Sequence, residues 1–425
     1  MKILWLINIM LPAYARQKNL DYSEKEGWIS GIYNRIVEKR ASGDKEIELG
    51  ICFPSRSSEK EEFINGVHFY PFKENTSRPE YYDKRLESRL STIIESFNPD
   101  AVHIFGTEYP HTLAMVRALG QPHKAIISLQ GIMTRCADEY RAGLPDNVWN
   151  SKSIRDILRS DSLKTQQKKF ETRAARERSA MLLCYNIAGR TDMDRKFTQK
   201  LCPRAYYHTL NETLRPVFYE DDIWSFDDCR KHSIFISQGD YPLKGFHFLL
   251  RALPELLKLY PDIHVYCAGN RIFNPQADRG NIKISAYGEY LRQIVRHYNL
   301  SSRISLLGML SAQEMKETYK KSHVFLCPSV MENSPNSMGE AMILGMPVAA
   351  SRTGGIPSML ENQKEGILFE KADIKEMIRA ISDVFDNKDK AISYGRAARE
   401  RALKTHDIEE NYRKLMSIYE TVVSV

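Results

Sequence analysis

Short apolar runs rich in β-branched residues alternate with longer amphipathic stretches from one end of the chain to the other. No other feature restricts the fold as much. In the first half, strands are expected at 2–8, 46–53, 66–70, 101–105, 125–129 and 182–187, with helices at 29–40, 80–97, 110–119 and 152–180. A second series has strands near 233–237, 263–268, 303–307, 323–327, 347–350 and 366–369. Its helices fall near 244–258, 286–299, 311–321, 336–345, 373–386 and 391–404. Such alternation reads as α/β, a doubly wound parallel sheet formed twice, in Rossmann-like domains. The acidic, unperiodic stretch YEDDIWSFDDCRKH places the boundary between 210 and 232. A last helix over 406–422 spaces Ile408, Tyr412, Leu415, Ile418, Tyr419 and Val422 along one stripe. Two domains of this class usually hold a ligand facing the carboxyl ends of their strands.

The length of 425 residues agrees with two or three domains. With 42% hydrophobic and 27% charged residues, a disordered or disulfide-scaffold chain is excluded. The net charge of +7 is too small to imply a nucleic-acid partner. It arises within residues 151–200, where 13 Lys and Arg face 6 Asp and Glu. The basic stretch 151–180 is either a solvated helix face or a face for anionic lipid headgroups, each cation then contributing up to ~1 kcal/mol. Seven scattered cysteines, with no Cys-x-x-Cys pair, point to reduced thiols and a cytoplasmic protein, or one held peripherally on the inner face of a membrane. No run approaches the ~20 apolar residues of a spanning helix. Residues 3–15 imitate a signal peptide, but Asn8 interrupts the apolar stretch, so 2–8 reads as a first buried strand.

The most informative string is FLCPSVMENSPNSMGEAMILGMPVAASRTGGIP, Phe325 to Pro357. Ser334 and Pro335 read as N-cap and first residue of a helix over 336–345, followed by a strand at 347–350 and a tight Thr353-Gly354-Gly355 loop. Glu332 lies in the loop before the helix and Glu340 about one turn inside it. A helix N-terminus offers N–H groups and a positive dipole to a phosphate. A carboxylate accepts hydrogen bonds from the neighbouring hydroxyls of a ribose or hexose.

This string resembles the Glu-x7-Glu signature of the family-4 retaining glycosyltransferases, which have the GT-B fold. ISQGDYPLKGFHFLLRAL, ISLLGMLSAQEMKETYKKSHVFLCPS and EGILFEKADIKEMIRAI resemble the segments around it, so the resemblance is specific over 232–390. EGWISGI, DAVHIFG and SLQG follow the family's order more loosely in the first half. The resemblance implies an acceptor domain over 1–215, a sugar-nucleotide domain over 216–405, and a last helix, 406–425, that crosses back to the N-terminal domain. Lys244 would neutralise the donor diphosphate and Glu332 would touch the donor sugar, as catalytic residues. Glu340 would hold the ribose, and the backbone of Asn336, Ser337 and Met338 would meet the diphosphate. Gly27 and Gln238 would line the donor, and Gln130 would lie toward the acceptor. Glu108 follows the strand at 101–105 and points toward the cleft mouth, as an acceptor contact or as a solvated loop carboxylate.

Two positions depart from the family. Its arginine five or six residues before the lysine is replaced by Gln238 and Gly239, and its N-domain histidine by Gln130. Arg271 and Arg352 are the candidate substitutes. Asp192-Met193-Asp194 imitates a metal motif, but beside Thr191 it reads as a helix cap. Neither a Gly-x-Gly-x-x-Gly after the first strand nor a phosphate-binding Gly-Lys-Ser/Thr loop is present, which argues against a nicotinamide dehydrogenase and an ATPase. The resemblance implies transfer of a hexose from a UDP- or GDP-sugar to a glycan or lipid-linked acceptor in polysaccharide biosynthesis, with no cofactor and no metal. The alternatives are a sugar-nucleotide epimerase or hydrolase of the same fold, and a catalytically silent sugar-nucleotide-binding module.

Overall fold

A computed structural model describes residues 1–22, 27–43, 46–55, 60–276 and 283–424. The chain forms two compact units, one of residues 1–137, 169–215 and 405–425, the other of 138–168 and 216–404.

The first unit holds an eight-stranded sheet of β1 (Lys2–Leu6), β2 (Glu48–Ser55), β3 (Glu62–Ile64), β4 (Val67–Lys73), β5 (Ala101–Phe105), β6 (Ala125–Ser128), β7 (Asn186–Gly189) and β8 (Tyr206–Thr209). Their order is β3-β4-β2-β1-β5-β6-β7-β8, parallel except for β3. Side chains alternate along a strand, so β1 serves two cores at once. Leu4 and Leu6 join Leu90, Phe97 and Met115 on one face. Ile3, Trp5 and Ile7 join Ile36, Tyr33 and the last helix on the other.

The last helix, Ile408–Val423, adds Tyr412, Leu415, Met416, Ile418, Tyr419 and Val422 to that second core. Trp5 Nε1 donates to the Tyr419 hydroxyl at 2.7 Å, which lies 2.7 Å from His103 Nδ1, and His103 Nε2 lies 2.7 Å from Ser128 Oγ. Burial holds the His103 pKa down to about 3, so the ring is neutral. A consistent chain then runs from the Trp5 N–H through Tyr419 to Nδ1, with Nε2–H donating to Ser128.

The second unit holds six parallel strands, β9 (Arg230–Ile236), β10 (His264–Ala268), β11 (Ile304–Gly308), β12 (Ser322–Cys327), β13 (Val348–Arg352) and β14 (Ile367–Glu370). Their order is β11-β10-β9-β12-β13-β14, so the topology reverses between β9 and β12. That switch point is where open α/β sheets form their crevice.

Several elements differ from the sequence reading. The strand expected at 182–187 is β7, displaced to 186–189 because the preceding helix runs to Leu182. β3 and β8 were not expected. β3 forms a hairpin with β4 through Asn65-Gly66, both at positive φ, the turn chemistry that favours tight hairpins. The single helix expected over 152–180 is two, Ile154–Arg159 and Leu163–Leu182, parted by Ser160 in the left-handed conformation. Residues 138–168, expected with the first domain, group with the second unit. Ala142 O accepts from His247 Nε2 at 3.0 Å, and Asp156 Oδ2 accepts from Ala286 N at 2.8 Å.

Tyr419→Phe removes the acceptor of a buried indole N–H and is expected to lower stability by about 1–3 kcal/mol in urea unfolding. Neutral burial also makes His103 an acid sensor. Its folded pKa lies below the unfolded value, so its contribution is complete above about pH 6.5 and is lost as pH falls toward 3. Between pH 6 and 4, a His103→Gln variant should lose stability less steeply than the parent, by up to ~1.4 kcal/mol per pH unit. Parallel slopes in the two proteins would refute this.

Candidate functional site

In the second unit, β9 and β12 release their chains side by side into two loops that press together. The loop after β9 makes a short turn, Pro242–Lys244, closed by Gly245 at φ 70°. A Cβ on Gly245 would stand 1.9 Å from Pro328 O, so only glycine allows this approach. Val330 N donates to Leu243 O at 2.7 Å and ties the two loops.

This contact sets the site's charge pair. Lys244 Nζ donates to Glu332 Oε1 at 2.6 Å, and Ser329 Oγ donates to the same oxygen at 2.8 Å. Both charged side chains are largely buried, with 18% and 12% exposed. Burial alone would lower the Lys244 pKa; the adjacent Glu332 carboxylate more than offsets it and leaves the lysine well above its usual range. The lysine is therefore a fixed cation across the working pH range. The Glu332 backbone is held from the other side, where Gly355 N donates to Glu332 O at 3.1 Å and Thr353 Oγ1 donates to Val330 O at 2.6 Å.

The helix after this loop is Asn336–Ile343, with Pro335 at its N-cap and no side-chain cap. It starts one residue later than Ser334 and Pro335 suggested and ends two earlier than 345. Ser237, just past β9, donates from its hydroxyl to Ser337 Oγ at 3.0 Å, so the helix N-terminus stands beside the β9 loop. Glu340 is 4% exposed, and the Tyr319 hydroxyl lies 3.4 Å from its Oε2 and 2.8 Å from Ser337 O. Met338 is fully buried, and its N–H donates to Pro335 O at 2.9 Å. Gln238 is half-buried beside Gly269.

Neither candidate substitute for the family arginine stands in this cluster. Arg352 is paired with Glu370 at 2.9 Å, and Arg271 donates to Leu307 O at 2.9 Å. The sequence reading missed Ser329, Ser237 and Tyr319. The two serines lie within the quoted strings, but a lone serine carries no signal before its strand end is located. Tyr319 carried none, since its contact depends on helix placement.

The first unit carries the other three expected residues. Gly27 opens the helix Gly27–Ala41, and Glu26 of the quoted string lies outside the described residues. Glu108 is half-buried past β5, where Asn8 Nδ2 donates to its Oε2 at 3.2 Å and Arg173 Nε to its backbone O at 2.9 Å. Burial raises its pKa against these contacts. Gln130 lines a recess of about 30 Å³ with Ser128, Arg190, Glu212, Thr213 and Asn411, room for one water. Thr191 and Asp194 form a reciprocal capping box, the structural role expected of that acidic string. Among the described residues no group of three His, Cys, Asp or Glu is arranged to hold a metal. All seven cysteines are free thiols.

Gly354 tests the rigidity of the loop. It sits at φ 54°, and a Cβ there would stand 1.8 Å from Glu332 O. Gly354→Ala is expected to cost about 1–3 kcal/mol in urea unfolding. Unchanged stability would mean that the loop does not brace Glu332.

Comparison with known proteins places these observations. Residues 230–387 match the family model Glycosyl transferases group 1. Spore coat protein SA of Bacillus subtilis is 25% identical over 180 residues, a match that spans 42% of this chain and 46% of that protein, less than half of either. The sucrose-phosphate synthase structure from Thermosynechococcus elongatus aligns with a TM-score of 0.69 at 13% identity, covering 100% of this chain and 99% of that one. HepE of Anabaena, solved in complex with UDP-glucose, aligns with a TM-score of 0.65 at 14% identity over 100% of both chains. The fold is therefore that of the GT-B glycosyltransferases, two parallel-sheet α/β domains, and residues 230–387 resemble the group 1 glycosyl transferase domain in sequence.

Proposed function

We propose that the chain is a retaining glycosyltransferase of the family-4 type. It moves a hexose from a UDP- or GDP-sugar to a hydroxyl of a glycan or lipid-linked glycan in polysaccharide biosynthesis. The observation that carries this reading is the buried Lys244–Glu332 pair beside the uncapped start of the helix Asn336–Ile343. A fixed cation and a helix N-terminus side by side suit a diphosphate, and a buried carboxylate one helical turn further on suits a ribose. HepE, of the same fold, binds UDP-glucose, which favours a uridine nucleotide.

In this reading the diphosphate lies between Lys244 and the backbone of Asn336, Ser337 and Met338, and Glu340 accepts from the ribose hydroxyls. Glu332 orients Lys244 and meets the sugar. The acceptor hydroxyl attacks on the face from which the diphosphate leaves, and the departing phosphate oxygen takes its proton, so no protein base is required. Lys244 and the helix dipole stabilise the negative charge as it grows. Gln130 and Glu108 lie toward the acceptor, Gln238 and Gly27 toward the donor.

Charge on the diphosphate changes during the reaction, whereas the ribose hydroxyls do not. Lys244→Ala should therefore lower kcat by on the order of 10²-fold. Glu340→Gln should chiefly raise the donor KM, because its amide keeps an acceptor but loses charge-assisted bonding. The check is steady-state kinetics with donor varied, after thermal-shift screening of UDP, GDP, ADP and their sugars has identified the nucleotide. Parental kcat in Lys244→Ala would remove the lysine from the site. No stabilisation by any nucleotide would remove the proposal, and donor breakdown without an acceptor would favour a hydrolase.

A further inference from the structure

The basic stretch 151–180 does not act as one surface. On the helix Leu163–Leu182, several charges are committed to the first unit's own structure. Arg173 donates to Glu108 O, Arg176 to Pro79 O and Arg178 to Thr134 Oγ1, while buried Glu177 accepts from Met133 N and Thr134 N. The short helix Ile154–Arg159 differs. Its Asp156 is 2% exposed and accepts from Ser153 N at 3.1 Å and Ala286 N at 2.8 Å, while Asp156 N donates to Ser153 Oγ at 3.1 Å. A capping box and a second backbone donor therefore clamp one side of this helix onto the second unit.

The clamp turns the opposite side outward. Ile154, Ile157 and Leu158 stand at i, i+3 and i+4, on one face, and are 57%, 63% and 78% exposed. Three large apolar side chains presented together on a fixed helix are not the scattered apolar residues of an ordinary surface. Around them Lys152, Arg159 and Lys164 are exposed and carry no ion pair among the described residues. Arg155 is bridged to Asp156 and Asp161.

We propose that the helix Ile154–Arg159 is an interfacial anchor that seats the protein on an anionic lipid bilayer. The apolar triad enters the boundary between headgroups and acyl chains, and Lys152, Arg159 and Lys164 meet the headgroup anions. Six residues are too few to span a bilayer, so the contact is shallow and reversible. The pairing of an apolar face with unpaired cations selects this occupant: a second copy of this chain would bring the same cations against themselves. The inference is independent of the transferase reading, since binding needs neither donor nor acceptor.

The test is flotation of the full chain with vesicles of phosphatidylcholine alone and with phosphatidylglycerol added. Binding should favour the anionic vesicles and weaken from low to physiological salt. Replacing Ile154, Ile157 and Leu158 by Ser should reduce it about tenfold or more. The set Lys152→Gln, Arg159→Gln and Lys164→Gln should remove the preference for phosphatidylglycerol. All six side chains are exposed, so the variants should keep the parental melting temperature, which checks folding. Equal binding to both vesicles, or undiminished binding by the serine variant, would overturn the proposal. So would sedimentation velocity showing a parental dimer that the serine variant converts to monomer, since a second copy would then occupy the face.

Discussion

A parallel sheet cannot leave a face in water, because both rows of its side chains are apolar and its crossover helices must cover them. In the first unit this demand falls on β1, whose Trp5, with no exposure, points into one core while Leu4 and Leu6 point into the other. The face carrying Trp5 is completed by Tyr419 and its neighbours on the last helix, and the indole N–H is answered by the Tyr419 hydroxyl. Packing and hydrogen bonding thus fix the same helix in one position. The histidine that continues the chain, His103, is tolerated in the core because it is neutral and both ring nitrogens have partners.

The second unit uses a comparable constraint to build a site. Two glycines with positive φ, Gly245 and Gly354, let backbone approach backbone from opposite sides of the loop after β12. What remains between them is a lysine and a glutamate held in contact. An ion pair out of water is costly unless each charge is well satisfied. Here Ser329 adds a hydrogen bond to the carboxylate, and the pair stands next to a helix start that carries no side-chain cap. The proposed diphosphate site rests on this cluster.

Much of this was legible in the sequence because the signals were local. The strand–helix alternation located twelve of the strands closely or within a few residues; the string from Phe325 to Pro357 singled out Glu332 and Glu340, and the resemblance of ISQGDYPLKGFHFLLRAL added Lys244, which the structure brings into contact with Glu332. Failures came where distant contacts decide. Residues 138–168 group with the second unit through Asp156 and Ala142, whose partners lie more than a hundred positions away. β8 has no buried row to impose a period, and is recognised only by its pairing with β7. The β3 hairpin was the exception, since Asn65-Gly66 was in plain view. The break at Ser160 hid inside a continuous run of charge.

The return of the last helix to the first unit bears on synthesis at the ribosome. The face that holds Ile3, Trp5 and Ile36 emerges early, yet the side chains that cover it, Tyr412 to Val422, are translated after the whole of the second unit. The unit begun first is therefore the one finished last, with an apolar face awaiting its cover during elongation. A chain cut short before residue 405 would hold the whole of the second unit, while its first sheet would still be open on one side, the kind of exposed apolar surface that promotes aggregation.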